Sequence, residues 1–107
     1  MITPSSPQGD LPQGFVSDAN GARWIYIGEL TFANASNVYG AALTLPLPQS
    51  GEVDLSGMAA VDSSAVAVLV ALSRRAVDEG KALAFRNVPA ALTALADLYS
   101  VEDLLAA

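Results

Sequence analysis

The chain has 107 residues, 52% of them hydrophobic, with 5 basic residues against 11 acidic and a net charge of −6. That length supports one small domain with a modest core. The acidic balance repels phosphate backbones and anionic headgroups, which argues against nucleic-acid binding and against charge-driven docking on a membrane.

Residues 1–14 carry Pro4, Pro7, Pro12, Gly9, Gly14, Ser5 and Ser6 and read as a flexible tail, with the domain running from 15 to 107. The first ten residues show neither a basic stretch nor an apolar core, so no signal peptide is expected. Phe15 to Ser17 and Arg23 to Glu29 are strand-like. Asp18-Ala-Asn-Gly21 between them reads as a hairpin turn, with Asn20-Gly21 the strongest signal. Thr31 is the expected N-cap of a helix reaching about Leu45, ahead of Pro46 and Pro48. Asn34, Ser36, Asn37 and Gly40 weaken that helix.

Glu52 to Leu55 reads as a short buried strand ending in a polar turn at Ser56-Gly57. A second turn carries Asp62, Ser63 and Ser64. Asp62 or Ser63 is expected to cap a helix that runs to about Glu79 and stops at Gly80. Val66, Leu69, Val70 and Ser73 share one face of it, while Val68 and Leu72 widen the apolar surface beyond the stripe a sheet-packed helix needs. The excess predicts either that its first half is covered twice, by its own sheet and by a partner, or that the helix is buried deeply among its neighbours in a small alanine-rich domain. The apolar run Ala65 to Leu72 is far short of the roughly 20 residues of a membrane span. Ala82 to Phe85 is a further strand. Asn87-Val-Pro89 opens a helix with a proline in its first turn and Leu92, Leu95, Leu98 and Tyr99 as its buried stripe. Val101 to Leu105 makes a last turn. The order β-β-α-β-α-β-α predicts an α/β fold: a small mixed sheet of about four strands, parallel apart from the opening hairpin, with helices mainly on one face.

The chemistry on offer is narrow. The chain has no histidine and no cysteine, so the usual base and nucleophile pairings are missing, as is a disulfide framework. No phosphate-cradling glycine motif occurs. A carboxylate and two hydroxyls at a helix N-terminus form a contact or switch surface rather than a reaction centre. No enzyme activity, cofactor or metal is expected. Arg74 and Arg75 read as a solvated face, and Trp24 and Tyr26 as core.

Leu55-Ser56-Gly57, then Val61-Asp62-Ser63-Ser64 and the apolar helix, resemble the motif of STAS domains, the fold of bacterial anti-sigma-factor antagonists. Gly80-Lys81 before a strand and Asn87-Val-Pro89 before a helix fit the same pattern, which spans roughly residues 15 to 105. Ala65 replaces the glycine usual after the motif, which favours the helix at that point. The ending from Leu95 through Tyr99 to Leu105 is similar to that of the STAS subunit of Mla phospholipid ABC transporters, which serve outer-membrane asymmetry. The resemblance implies a non-catalytic cytoplasmic subunit, held at the inner membrane through its complex, that binds and regulates the transporter ATPase. Its contact surface would be the Ser56–Gly57 loop, Asp62, Ser63, Ser64, Val66 and Ala67. The other branch of the family implies an antagonist that binds a serine kinase and is phosphorylated on Ser64, with Ser63 the second candidate. A serine at both positions leaves the motif open between the two.

Overall fold

The computed structural model describes residues 13–18 and 20–99. Of the expected tail only Gln13 and Gly14 fall among them, and the expected last turn, Val101 to Leu105, lies outside. The elements are β1 (Gly14–Ser17), β2 (Arg23–Leu30), α1 (Ala35–Ala42), β3 (Glu52–Val61), α2 (Ser63–Asp78), β4 (Ala84–Arg86) and α3 (Ala90–Leu98). Their order is the one the sequence predicts. The strands form one sheet in the order β1-β2-β3-β4. β1 is antiparallel to β2, and the β2–β3 and β3–β4 pairs are parallel.

The hairpin is built by Asp18. Its Oδ1 accepts from the N–H groups of Asn20 at 3.2 Å and Ala22 at 2.8 Å, and Gly21 takes φ 69°, in the left-handed region that glycine enters without strain. Along β2 and β3 the buried residues are Trp24, Tyr26, Leu30, Val53, Leu55 and Met58, while Arg23, Ile27, Glu29 and Ser56 are exposed. One face therefore packs under the helices and the other stays open. Both buried polar aromatics find acceptors: Trp24 Nε1–H donates to the Pro46 carbonyl at 3.1 Å and Tyr26 O–H to the Glu29 carbonyl at 2.6 Å. Burial pushes the Tyr26 phenol up to about 12, with the Glu29 charge adding to the shift. These two residues are core, as expected.

Four expectations are corrected. β3 does not stop at Leu55 but runs on to Val61, so Ser56-Gly57 is not a loop. Two register shifts against β2 fall between Asp54 and Gly57 and between Met58 and Val61. The first inserts an extra residue, which is why burial steps from Leu55 to Met58 rather than to position 57. Gly57 is needed there because a Cβ would lie 2.5 Å from the Tyr26 carbonyl oxygen. A polar-glycine pair reads as a strand end, and here it is a bulge.

α1 is shorter than expected, and Thr31 is not its N-cap; Asn34 stands there, without a side-chain capping bond. Thr31 and Asn34 fold residues 31–34 into their own turn first. Thr31 Oγ1 accepts from the Ala33 N–H at 3.3 Å and Asn34 Oδ1 from the Thr31 N–H at 3.0 Å. Such side chains compete with the helix for local backbone.

Third, β4 occupies Ala84–Arg86 rather than 82–85, and Pro89 stands at the N-cap of α3 rather than inside its first turn. Fourth, α3 buries Leu92 and Ala96 and half-buries Leu95, but leaves Leu98 73% and Tyr99 53% exposed. The stop of α2 at Gly80 holds. Gly80, at φ 76°, donates to Val77 O at 2.9 Å and Lys81 N–H to Ala76 O at 2.7 Å, a Schellman closure.

Candidate functional site

The N-terminus of α2 meets the sheet where β3 ends. Asp62 has extended backbone and caps the helix: its Oδ1 accepts from the Ser64 N–H at 2.8 Å. Its other oxygen reaches across 30 residues of sequence to accept from the Phe32 N–H at 2.9 Å. One carboxylate thus ties the β2–α1 turn to the α2 N-terminus. The bond from Phe32, then those from Ser64, hold the Asp62 carboxyl below the usual carboxylate range. Capping by Asp62 leaves Ser63 exposed at the first helical position and Ser64 half-buried at the second.

Each serine borders a shallow apolar groove. One, of about 300 Å³, lies between α1 and α2, with Ser36 and Tyr39 on one wall and Ser64, Ala67 and Ala71 on the other. The second, of about 290 Å³, is lined by Ser63, Val66, Ala67 and Tyr99. Ala67 is exposed and forms the ridge shared by both. Small side chains along this ridge let another surface approach the helix closely. Val66 is buried and contributes mainly to the core. Of the wide apolar surface expected on α2, Ala65, Val66, Val68, Leu69, Leu72 and Ala76 are buried within this chain, and Val70 is half-buried.

The structure brings Asp62, Ser63, Ser64, Val66 and Ala67 together but leaves Ser56 and Gly57 apart, within β3. Asp54 next to them has a local task. Its Oδ1 accepts from the Ser56 N–H at 2.9 Å and from Asn87 Nδ2–H at 3.1 Å, pinning the bulge to the turn after β4. Those bonds, the Ser56 one foremost, lower the Asp54 carboxyl. Arg75 is not a solvated residue. It donates to the carbonyls of Ala42 at 3.1 Å and Leu45 at 2.7 Å and pairs with Glu79 at 2.9 Å. Arg74 is exposed as expected.

Three residues of this surface carried no clear sign in the sequence. Ser36 and Tyr39 enter it because α1 packs beside α2, and Phe32 because the 31–34 turn lifts it to 85% exposure. Among the described residues no group of three carboxylate, histidine or cysteine side chains could hold a metal, and no helix is long and apolar enough to cross a membrane.

A mixed four-stranded sheet, helices on one face, and a capped serine pair opening the central helix define a STAS-type α/β domain. The family model described as "Mlab, STAS domain" matches residues 27–106, and the chain belongs to that family. The match begins within β2, so β1 and the first half of β2 lie outside it. No curated protein matches the chain. STAS domains generally act through regulation or binding rather than catalysis, and commonly mediate contacts between proteins.

Proposed function

We propose that this chain is a non-catalytic subunit that binds and regulates the ATPase of an Mla-type phospholipid ABC transporter, on the cytoplasmic side of the inner membrane. The observation that carries this reading is the pair of apolar grooves flanking Ala67, each bordered by a motif serine. An exposed ridge of small residues between two apolar recesses suits a protein partner better than a small polar ligand. Ser63, Ser64, Ala67 and Tyr99 are its contact residues, with Asp62 and Val66 supporting them from below. The ATPase supplies the chemistry, and this subunit stabilises it.

The other branch of the family remains as the competing outcome. An anti-sigma-factor antagonist would take phosphate on Ser64. That residue is half-buried, its backbone N–H is bound to Asp62, and a phosphate would bring nearly two negative charges against that carboxylate. Those features weigh toward the transporter.

Affinity purification of the tagged full chain from its own host, with mass spectrometry of partners and of both serines, separates the two. An ABC ATPase with unmodified Ser63 and Ser64 supports the proposal. A serine kinase, with phosphate on Ser64, replaces it by the antagonist. Ser63→Glu should weaken ATPase docking by about tenfold, the size of a like-charge or desolvation penalty of roughly 1.4 kcal/mol. Unchanged affinity would move the interface elsewhere.

A further inference from the structure

Phe32 is the most exposed large apolar side chain among the described residues, at 85%. A single exposed hydrophobic residue is ordinary. Three observations set this one apart.

The first is rigidity. Phe32 N–H is bound to Asp62 Oδ2 at 2.9 Å. Its neighbours are held by Thr31 N–H to Asn34 Oδ1 at 3.0 Å, Asn34 Nδ2–H to the Glu29 carbonyl at 2.9 Å, and Ala35 N–H to the Thr31 carbonyl at 2.9 Å. A loop pinned this way holds its aromatic ring out without needing to be ordered on binding. The second is company. Asp62 sets Phe32 at the end of α2 where Tyr99, 53% exposed, borders the groove beside Ser63, with Leu98 next to it at 73%. Phe32, tied to the α2 cap through its backbone, and Tyr99, in the groove beside Ser63, are thus two exposed aromatics near the same helix end.

The third is charge. The five basic residues are Arg23, Arg74, Arg75, Lys81 and Arg86. Arg23 opens β2, Arg86 closes β4 opposite Asp54, and the other three belong to the last part of α2 or follow it. Arg74 is eleven positions from Ser63, roughly 16 Å along the helix. The Phe32 end instead carries Glu29 and Asp62, with Asp97 two residues before Tyr99. So the aromatic end of the molecule is acidic, and the cations are about two screening lengths away.

We propose that Phe32 is the aromatic anchor of a protein-docking surface at this end, and that the occupant is a protein surface offering an apolar pocket rimmed by lysine or arginine. This rests on reading the first half of α2 as the interface. An anionic bilayer would be repelled by the same carboxylates that attract a basic rim. Asp62 is then a positioning residue, holding the anchor through its backbone.

The test places a benzophenone amino acid at position 32 of the full chain in its own host, with Lys81 as the control position at the opposite end. Irradiation should link position 32, and not position 81, to one protein, through a peptide in which apolar residues are flanked by Lys or Arg. That partner, purified, should bind Phe32→Ala about tenfold or more weakly, and its affinity for the unaltered chain should fall as salt rises. Lys81→Ala should bind normally, and Phe32→Ala should melt at the unaltered temperature. The proposal is overturned by labelling no stronger than at position 81, by linkage to lipid or to an acidic peptide, or by Phe32→Ala binding within about twofold of the original. The two readings fail separately. A linked basic protein that is not an ABC ATPase keeps the anchor and removes the transporter assignment. An ATPase that co-purifies and ignores Phe32→Ala does the reverse.

Discussion

The two ends of α2 use the same device for opposite purposes. At each end a charged side chain crosses to the neighbouring segment and binds its backbone. Near the C-terminal end Arg75 takes the carbonyls of Ala42 and Leu45, groups at and just beyond the end of α1. At the N-terminal end Asp62 takes the N–H of Phe32. The Arg75 contact adds a charged donor to the Ala42 carbonyl, which also accepts from the Leu45 N–H at 3.0 Å, and gives the Leu45 carbonyl just past the helix end a donor. The Asp62 contact leaves a phenyl ring in solvent and two apolar grooves unfilled. The same kind of bond can therefore close off backbone acceptors or present a side chain. The Arg75 end, closed only in that sense, still borders a groove of about 400 Å³ with Leu43 47% exposed, whereas the Asp62 end holds out an aromatic ring at 85%.

The largest effect expected from breaking this comparison is at the closed end. Arg75→Met keeps the length of the apolar stem but removes the donors to both carbonyls and the pair with Glu79. Hydrogen bonds from a charged donor, with the side chain mostly covered, make the loss about 2 kcal/mol. For a domain of this size that lowers Tm by roughly 10 °C. Partner affinity should hardly move. A loss below about 0.5 kcal/mol in denaturant titration would mean that water replaces the guanidinium and that this end is not closed by it.

Asp62→Ala should be smaller in stability and larger in function. It removes the α2 cap and the hold on the Phe32 amide together, so Tm should drop by a few degrees while partner binding falls as it does in Phe32→Ala. The double variant Asp62→Ala, Phe32→Ala separates positioning from contact. If Asp62 works only by aiming the ring, the double variant binds no worse than Phe32→Ala alone. Additive losses would show that the carboxylate touches the partner itself.

Much of this contrast was hidden in the sequence for a physical reason. The hairpin, the parallel strands, the serine-bearing helix start and the Gly80 stop were legible because each rests on local periodicity or on turn chemistry. Asp62 as a cap was legible too, since capping is a contact between residues two apart. Its second bond, to Phe32, joins residues 30 apart and exists only once β2 and β3 are paired. The same holds for Arg75, whose acceptors lie 30 and 33 positions away. Ser56-Gly57 misled because a bulge and a turn share the same residue preferences. What makes it a bulge is the approach of the Tyr26 carbonyl from the neighbouring strand. Leu98 and Tyr99 misled because the helical stripe ran past the point where the sheet and α2 still cover α3.

The smallest and most selective test is acid. Asp62 is held below the usual carboxylate range by the Phe32 bond first, and Asp54 by the Ser56 bond first. Both are thus more acidic in the folded chain than when unfolded, where a carboxyl titrates near about 3.9. Their stabilising contribution is complete above that value and is lost as pH falls through the lower folded values. The Arg75 bonds to Ala42 and Leu45 have acceptors that do not titrate in this range. On acidification the open end should therefore loosen before the closed one. Amide exchange followed as pH is lowered step by step below about 3.9 should show protection falling first at Phe32 and Ser64, while Gly80 and Lys81, in the Schellman closure of α2, keep theirs. Asp62→Asn should remove most of the pH dependence at Phe32 and Ser64 while leaving that of Ser56, which answers to Asp54. If protection at all four sites fell together, the chain would be unfolding as a unit, and the two ends of α2 would not be independent in the way their contacts suggest.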